Sequence, residues 1–202
     1  MKFYKIKSHA KINISLGVLG RFNSKLHKIE SLISFLNFHD NIFVKKIKNN
    51  SHKVIFVGKF SKGIKKKNTI NNLLKILDNK KKLNNQKYLI KVNKKIPQKS
   101  GMGGGSMNAA NVLKFLVNKQ NLKLSKNEIL QITSEIGSDV ILGMQKKALI
   151  LYGSGKIKLL NKKINLFTIL IKPNFGCSTK EIYKEVDSFS KPFFKKNKRV
   201  NL

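Results

Sequence analysis

Pro97-Gln98-Lys99-Ser100-Gly101-Met102-Gly103-Gly104-Gly105-Ser106-Met107-Asn108-Ala109-Ala110 is the stretch that decides the fold. Four of these fourteen residues are glycine, against 13 glycines in the whole chain, so backbone freedom is concentrated here. A strand-like run, Tyr88 to Ile96, leads into it, and a helix-like run, Asn108 to Val117, leads out. Strand, glycine loop and helix start together make an anion cradle. Glycines let backbone N–H groups close in on an oxyanion, and the free N–H groups of the first helical turn point at it. The first expectation is therefore a phosphate-binding protein that uses a nucleotide. A plain tight turn is the competing reading, and four glycines directly ahead of a helix weigh against it.

Two other glycine-loop types do not fit. No Gly-Lys-Ser or Gly-Lys-Thr follows the glycines, as a Walker-type loop requires. Gly101 to Ser106 contains Gly-x-Gly without the final glycine of a dinucleotide fold, and a strand-first unit at the N-terminus is missing. Reading outward gives strands before the loop and helices after it. That is an α+β pattern rather than a regular βαβ alternation.

In chain order, Lys2 to Lys7 and Lys11 to Val18 alternate as half-buried strands, with a break at Ser8 to Ala10 and with Ile12, Ile14 and Leu16 on one face. Ile29 to Phe38 and Ile42 to Ile47 read as a hairpin about His39-Asp40-Asn41, and Val54 to Val57 as a short strand. Thr69 is placed to cap a helix whose Ile70, Leu73, Leu74 and Leu77 share a face. Ser125-x-x-Glu128 is a capping box ahead of Ile129, Ile132 and Ile136, and Gly137 supplies a stop. Ala148 to Tyr152 and Ile157 to Leu160 form a second hairpin, Leu166 to Ile171 reads as a buried strand, and Ser178 to Val186 as a short helix.

With 202 residues the chain can bury a real core. No apolar run is long enough for a membrane span, and no signal peptide is legible, so the expectation is a cytoplasmic protein without a membrane partner. The single cysteine, Cys177, excludes an internal disulfide and a cysteine-based metal cluster. The net charge of +34 invites a nucleic-acid reading. Yet only Arg21 and Arg199 are arginines, and Asn and Ile, at 23 each, rise together with Lys. These three share A/T-rich codons, so compositional drift is preferred to a nucleic-acid partner. A basic nucleic-acid binder is the competing class, and it predicts tight, salt-dependent binding.

Five motifs stand in order: Ala10 to Leu16; Gly20-Arg21 with Leu26-His27; the glycine loop; Ile136 to Val140; and Lys172-Pro173 with Ser178-Thr179 and Ile182-Tyr183. Together they resemble the GHMP-type small-molecule kinases, and within them the 4-diphosphocytidyl-2-C-methyl-D-erythritol kinase family. The resemblance implies the N-terminal ATP-binding domain of that superfamily and γ-phosphoryl transfer from ATP, with Mg²⁺ travelling on the nucleotide. The acceptor would be a hydroxyl of the cytidine-diphosphate-linked methylerythritol. It implies Lys11 and Asp139 as catalytic residues. Pro97, Lys99, Ser100, Gly101, Met102, Gly103, Gly104, Gly105, Ser106 and Asn108 would form the ATP site, with the helix opening near Ser106 to Asn108. Asn13, His27 and Tyr183 would hold substrate, His27 reading the cytosine edge and Tyr183 stacking on the ring. No metal site built by the protein itself is implied.

The family pattern is broken in places. Met107 stands for a serine, Gln98-Lys99-Ser100 for glycine-rich positions, Asn23, Ser24 and Lys25 for x-Asp-Gly, Leu26 for a tyrosine and Ile141 for a proline. The family's second glycine-rich loop is not found after Lys172. The expectation is thus an N-terminal domain over 1–162 and only the start of a C-terminal domain over 163–202, as a fragment, a truncated product or a degraded enzyme that retains nucleotide binding. Such a chain should bare apolar surface around Leu166 to Ile171.

Overall fold

The computed structural model describes residues 2–22, 27–145, 147–162, 164–176 and 179–194. The departures at Asn23 to Leu26, together with Cys177 and Ser178, lie outside the described residues. The elements in order are β1 (Tyr4–Arg21), β2 (His27–Ile47), β3 (Lys53–Val57), α1 (Thr69–Asn79), β4 (Lys87–Asn93), α2 (Gly104–Lys119), α3 (Lys126–Ile136), α4 (Val140–Gly143), β5 (Leu149–Leu151), β6 (Ile157–Leu159) and α5 (Thr179–Lys184). This is the mixed α+β content expected. Two compact units divide it: Met1–Ala10, Leu36–Gln98 and Met102–Gln145 form the first, and Lys11–Phe35, Lys99–Gly101 and Lys146–Leu202 the second.

In the first unit the C-terminal half of β2 pairs antiparallel with β4, from Asn41 opposite Asn93 to Ile47 opposite Lys87. On its other edge β4 pairs parallel with β3. Alternation puts Ile42, Val44, Ile90 and Val92 on the buried face. Three helices cover them, contributing Ile70, Leu73, Leu74 and Leu77 from α1, Val112, Leu113 and Leu116 from α2, and Ile132 from α3. Each such side chain stabilises the fold by about 1.5–3 kcal/mol through burial. The α1 stripe thus falls where its spacing predicted, and of the α3 stripe Ile132 is buried and Ile136 partly buried against this core, while Ile129 is not part of it. The Ser125–Glu128 capping box is complete, and the N–H of Gly137 closes α3 on Thr133.

Three local expectations give way here. β1 is continuous through Ser8 to Ala10, because Ser8 and Ala10 are small enough to sit fully buried within the strand. The hairpin expected at His39-Asp40-Asn41 is instead the middle of one long strand, β2. Those turn-forming residues are overridden because Asp40 points into the core, where its carboxylate finds donors. The cap of α1 is Asn68, whose side chain accepts the Asn71 N–H at 3.0 Å, while Thr69 is already helical.

The second unit holds the N-terminal part of β2, which pairs antiparallel with β5, and the β5–β6 hairpin expected from sequence. Gly155, at φ +80°, makes the turn where a β-carbon would be strained. Leu32, Ile150 and Leu160 form its small core. The run Leu166 to Ile171 is not a strand, and Phe167 and Ile169 are fully or almost fully exposed. An apolar run becomes a strand when a neighbour completes its ladder and covers a face, and no described strand pairs with this one. On β1, Ile14 and Leu16 are more than a third exposed, so the expected apolar face is not a buried one.

One prediction arises at the far end of the first unit. His52 Nδ1 accepts the Tyr88 N–H at 3.0 Å, and its Nε2 meets Asp78 at 3.1 Å, beside Lys87. Burial holds the His52 pKa below 6.5, with the charge of Lys87 adding to the effect and Asp78 opposing it. The folded state therefore favours the neutral ring. Its contribution is full above the unfolded-state value of about 6.5 and is lost as pH falls below it. Urea midpoints should decline from pH 7.5 to pH 5.5, and His52→Gln should flatten that decline. An unchanged slope in the variant would contradict this assignment.

Candidate active site

The glycine stretch opens α2 earlier than expected. The helix begins at Gly104, so Gly104, Gly105 and Ser106 form its first turn. Gly103 is the cap residue, in the left-handed region at φ +63°, and carries no side chain to cap the helix. The α2 ladder starts with Met107 N–H to Gly103 O at 2.8 Å, and no acidic residue stands in the first turn. The cap residue thus offers no side chain to the first-turn N–H groups, and no acidic side chain within that turn offsets the positive end of the 16-residue helix. Lys99 at φ +52° and Gly101 at φ +71° also lie in the left-handed region, so the entry turns sharply despite lacking the family's glycines. Gln98 ties it down by donating to the carbonyls of Phe60 and Lys62 at 3.0 and 2.8 Å. From α1, Thr69 donates to Gly105 O at 2.7 Å.

Beneath this turn lies a charged cluster that sequence reasoning missed. Asp40 is fully buried. Its Oδ1 accepts the N–H groups of Lys95 and Ile96 at 2.7 and 2.8 Å, and its Oδ2 accepts Nδ2 of Asn108 at 3.0 Å and Nζ of Lys94. Asn108 is itself buried; its Nδ2 is held by Asp40, and its Oδ1 is buried without a hydrogen-bond partner.

Met107 has a structural reason. It is buried, and a β-carbon on Gly143 would come within 3.0 Å of its Cε and 2.6 Å of the Ala110 Cβ. The side chain fills the closely packed seam between α2 and α4. Asp139 immediately precedes α4 and is half-buried. It stands at the cap position with αR backbone, yet its side chain makes no capping hydrogen bond, so a capping role does not account for it.

In the second unit, Lys11 is a buried lysine on β1. Asn13 accepts the Ser31 hydroxyl at 3.0 Å, and that hydroxyl also reaches Ser15 O at 2.6 Å. The His27 and Tyr183 rings stack on each other, with centroids 4.9 Å apart and planes at 19°. The His27 Nε2 is buried without a hydrogen-bond partner, a group that a polar ligand edge could satisfy. Ser100 is exposed and Pro97 half-buried. Lys11 and Asp139 belong to different units, and within the glycine stretch Lys99–Gly101 belong to the second unit while the residues on both sides belong to the first.

A glycine-capped helix follows a strand in an α+β fold, and the GHMP kinases N terminal domain matches residues 68–153, which places the chain among the GHMP kinases. Solved structures carry the same fold. A 4-(cytidine 5'-diphospho)-2C-methyl-D-erythritol kinase superposes with a TM-score of 0.62 at 22% identity, covering 78% of this chain and 55% of that one. A homoserine kinase from Cytophaga hutchinsonii gives 0.53 at 15% identity, covering 79% and 54%. Among sequences, the 4-diphosphocytidyl-2-C-methyl-D-erythritol kinase of Pelagibacter ubique is 56% identical over 194 residues, 96% of this chain and 69% of that protein. The protein of the same name in Clostridium botulinum is 32% identical over 181 residues, 89% of this chain and 64% of its own length. The chain belongs to the 4-diphosphocytidyl-2-C-methyl-D-erythritol kinase family. It spans roughly two thirds of the length of these relatives.

Proposed function

We propose that this chain transfers the γ-phosphoryl group of ATP to the 2-hydroxyl of 4-diphosphocytidyl-2-C-methyl-D-erythritol, in the cytoplasm, on the methylerythritol phosphate route to isoprenoid precursors. The observation that carries the reading is the α2 N-terminus: a first turn of Gly104, Gly105 and Ser106 behind a side-chain-free cap, with no acidic residue in that turn. That is a phosphate site in a chain whose family transfers phosphate.

Phosphoryl transfer needs positioning and charge stabilisation more than covalent chemistry. The N–H groups from Gly101 to Ser106 would hold the ATP phosphates. The loop offers N–H and hydroxyl groups and no carboxylate, a donor set for phosphate and not for a bare cation. Mg²⁺ would therefore arrive on ATP, held mainly by phosphate oxygens, and would neutralise their charge. Asp139 accepts the proton of the substrate hydroxyl. A free carboxylate, pKa about 3.9, is a weak base, and a loose transition state that releases the proton late makes it sufficient. The ammonium of Lys11 stabilises the charge that develops during transfer. His27 and Tyr183 take the cytosine, and since they stack on each other, the base must displace or extend that stack. We assign 1–162 to the ATP-binding domain and 163–202 to the second domain of the family.

ATP consumption by the full chain, with and without the diphosphocytidyl substrate, tests this. Consumption that depends on the substrate is the expected result. ATP binding without substrate-dependent consumption would reduce the chain to a nucleotide-binding relative of the kinases. Salt-sensitive RNA binding tighter than ATP binding would favour the basic-binder class.

A further inference from the structure

We propose that Asp40, neutralised by Lys94, is a positioning residue for ATP: it holds the strand exit and the helix start on either side of the glycine loop at the separation a phosphate requires. This rests on reading that loop as the ATP cradle. The β2–β4 ladder ends at Asn41 opposite Asn93, and one more step puts Asp40 opposite Lys94. There β4 leaves the sheet to become the loop, and its next N–H groups lose their strand partner. Asp40 Oδ1 takes over, accepting Lys95 and Ile96. Oδ2 meanwhile accepts Asn108, in the second turn of α2. A single carboxylate thus spans the loop from Ile96 to Asn108.

The charge needs its partner. A buried carboxylate near a helix start would oppose an incoming phosphate. Lys94, 5% exposed, cancels it. Its Nζ lies 3.1 Å from where a β-carbon on Gly104 would stand, directly under the first residue of α2. A side chain at 104 would crowd this approach and the Ile96 side chain beside it. Lys94 is charge compensation here and does not have to reach the nucleotide.

Asp40→Asn separates this role from packing. It keeps the shape and one acceptor oxygen for Lys95 and Ile96, and it turns an amide donor toward Lys94 and Asn108. ATP affinity by calorimetry on the full chain is expected to fall tenfold or more, and amide exchange at Lys95 and Ile96 to stay slow. Asp40→Glu, which restores the charge, should recover part of the affinity. A thermal midpoint that drops while ATP affinity stays within twofold would make Asp40 merely structural and overturn the proposal. A wild-type chain that binds no ATP would overturn it together with the kinase reading. Wild-type binding that Asp40→Asn leaves intact would overturn the positioning role alone.

Discussion

Asp139→Asn lowers kcat for phosphoryl transfer by about 10²–10⁴-fold, the range for loss of a positioned general base, with little change in KM for ATP. The fold should tolerate the change. Asparagine has the same shape, and the Asp139 side chain makes no capping hydrogen bond to α4. Its backbone is tied in as well: the Asp139 carbonyl accepts the Gly143 N–H at 3.3 Å, and α4 packs by Gly143 on Ala110 and Met107. The loss should therefore appear chiefly in turnover, with the unfolding free energy lowered by no more than about 1.5 kcal/mol, the net worth of a typical hydrogen bond. Steady-state kinetics paired with urea unfolding checks both halves. A variant as active as the parent would remove Asp139 from the chemistry.

Lys94→Met destabilises the chain by about 3–5 kcal/mol, because removing one partner leaves a fully buried carboxylate without its counter-charge. Against a typical total of about 5–15 kcal/mol this is a large fraction. Deleting both charges does not repair it. In Asp40→Leu with Lys94→Met, the N–H groups of Lys95 and Ile96 lose their acceptor, at about 1–3 kcal/mol each if no water reaches them. Urea unfolding of the two single variants and the double variant measures this directly. A Lys94→Met change below about 1 kcal/mol would show that Asp40 is satisfied by its three N–H donors alone.

Much of the fold is legible because it follows from period and chemistry. The α1 stripe Ile70, Leu73, Leu74, Leu77 repeats on one helical face, and Ser125–Glu128 can satisfy each other only at a helix start. The glycine stretch was readable as the link from a strand to a helix start, and it stands there between β4 and α2. What failed was short-range logic at places decided by tertiary contact. His39-Asp40-Asn41 has turn composition, yet Asp40 is in phase with Ile42 and Val44, and Lys94 is in phase with Val92 and Ile90. Two opposite charges, each in step with an apolar strand face, were a sign of a buried pair, but one visible only once the two strands were known to be neighbours. The helix start was placed too late, since glycine's poor propensity conceals its use at the first turn. Leu166 to Ile171 reads as a core strand by composition alone and finds no described partner strand.

The central claim is that this chain moves a phosphoryl group onto the 2-hydroxyl of its substrate. Phosphorus NMR of the full chain with ATP, Mg²⁺ and 4-diphosphocytidyl-2-C-methyl-D-erythritol follows that bond. The account predicts a new phosphomonoester resonance growing in step with ADP. ATP that stays intact, or that yields free phosphate without the ester, both alone and with the remaining part of the Pelagibacter ubique relative supplied, would contradict it.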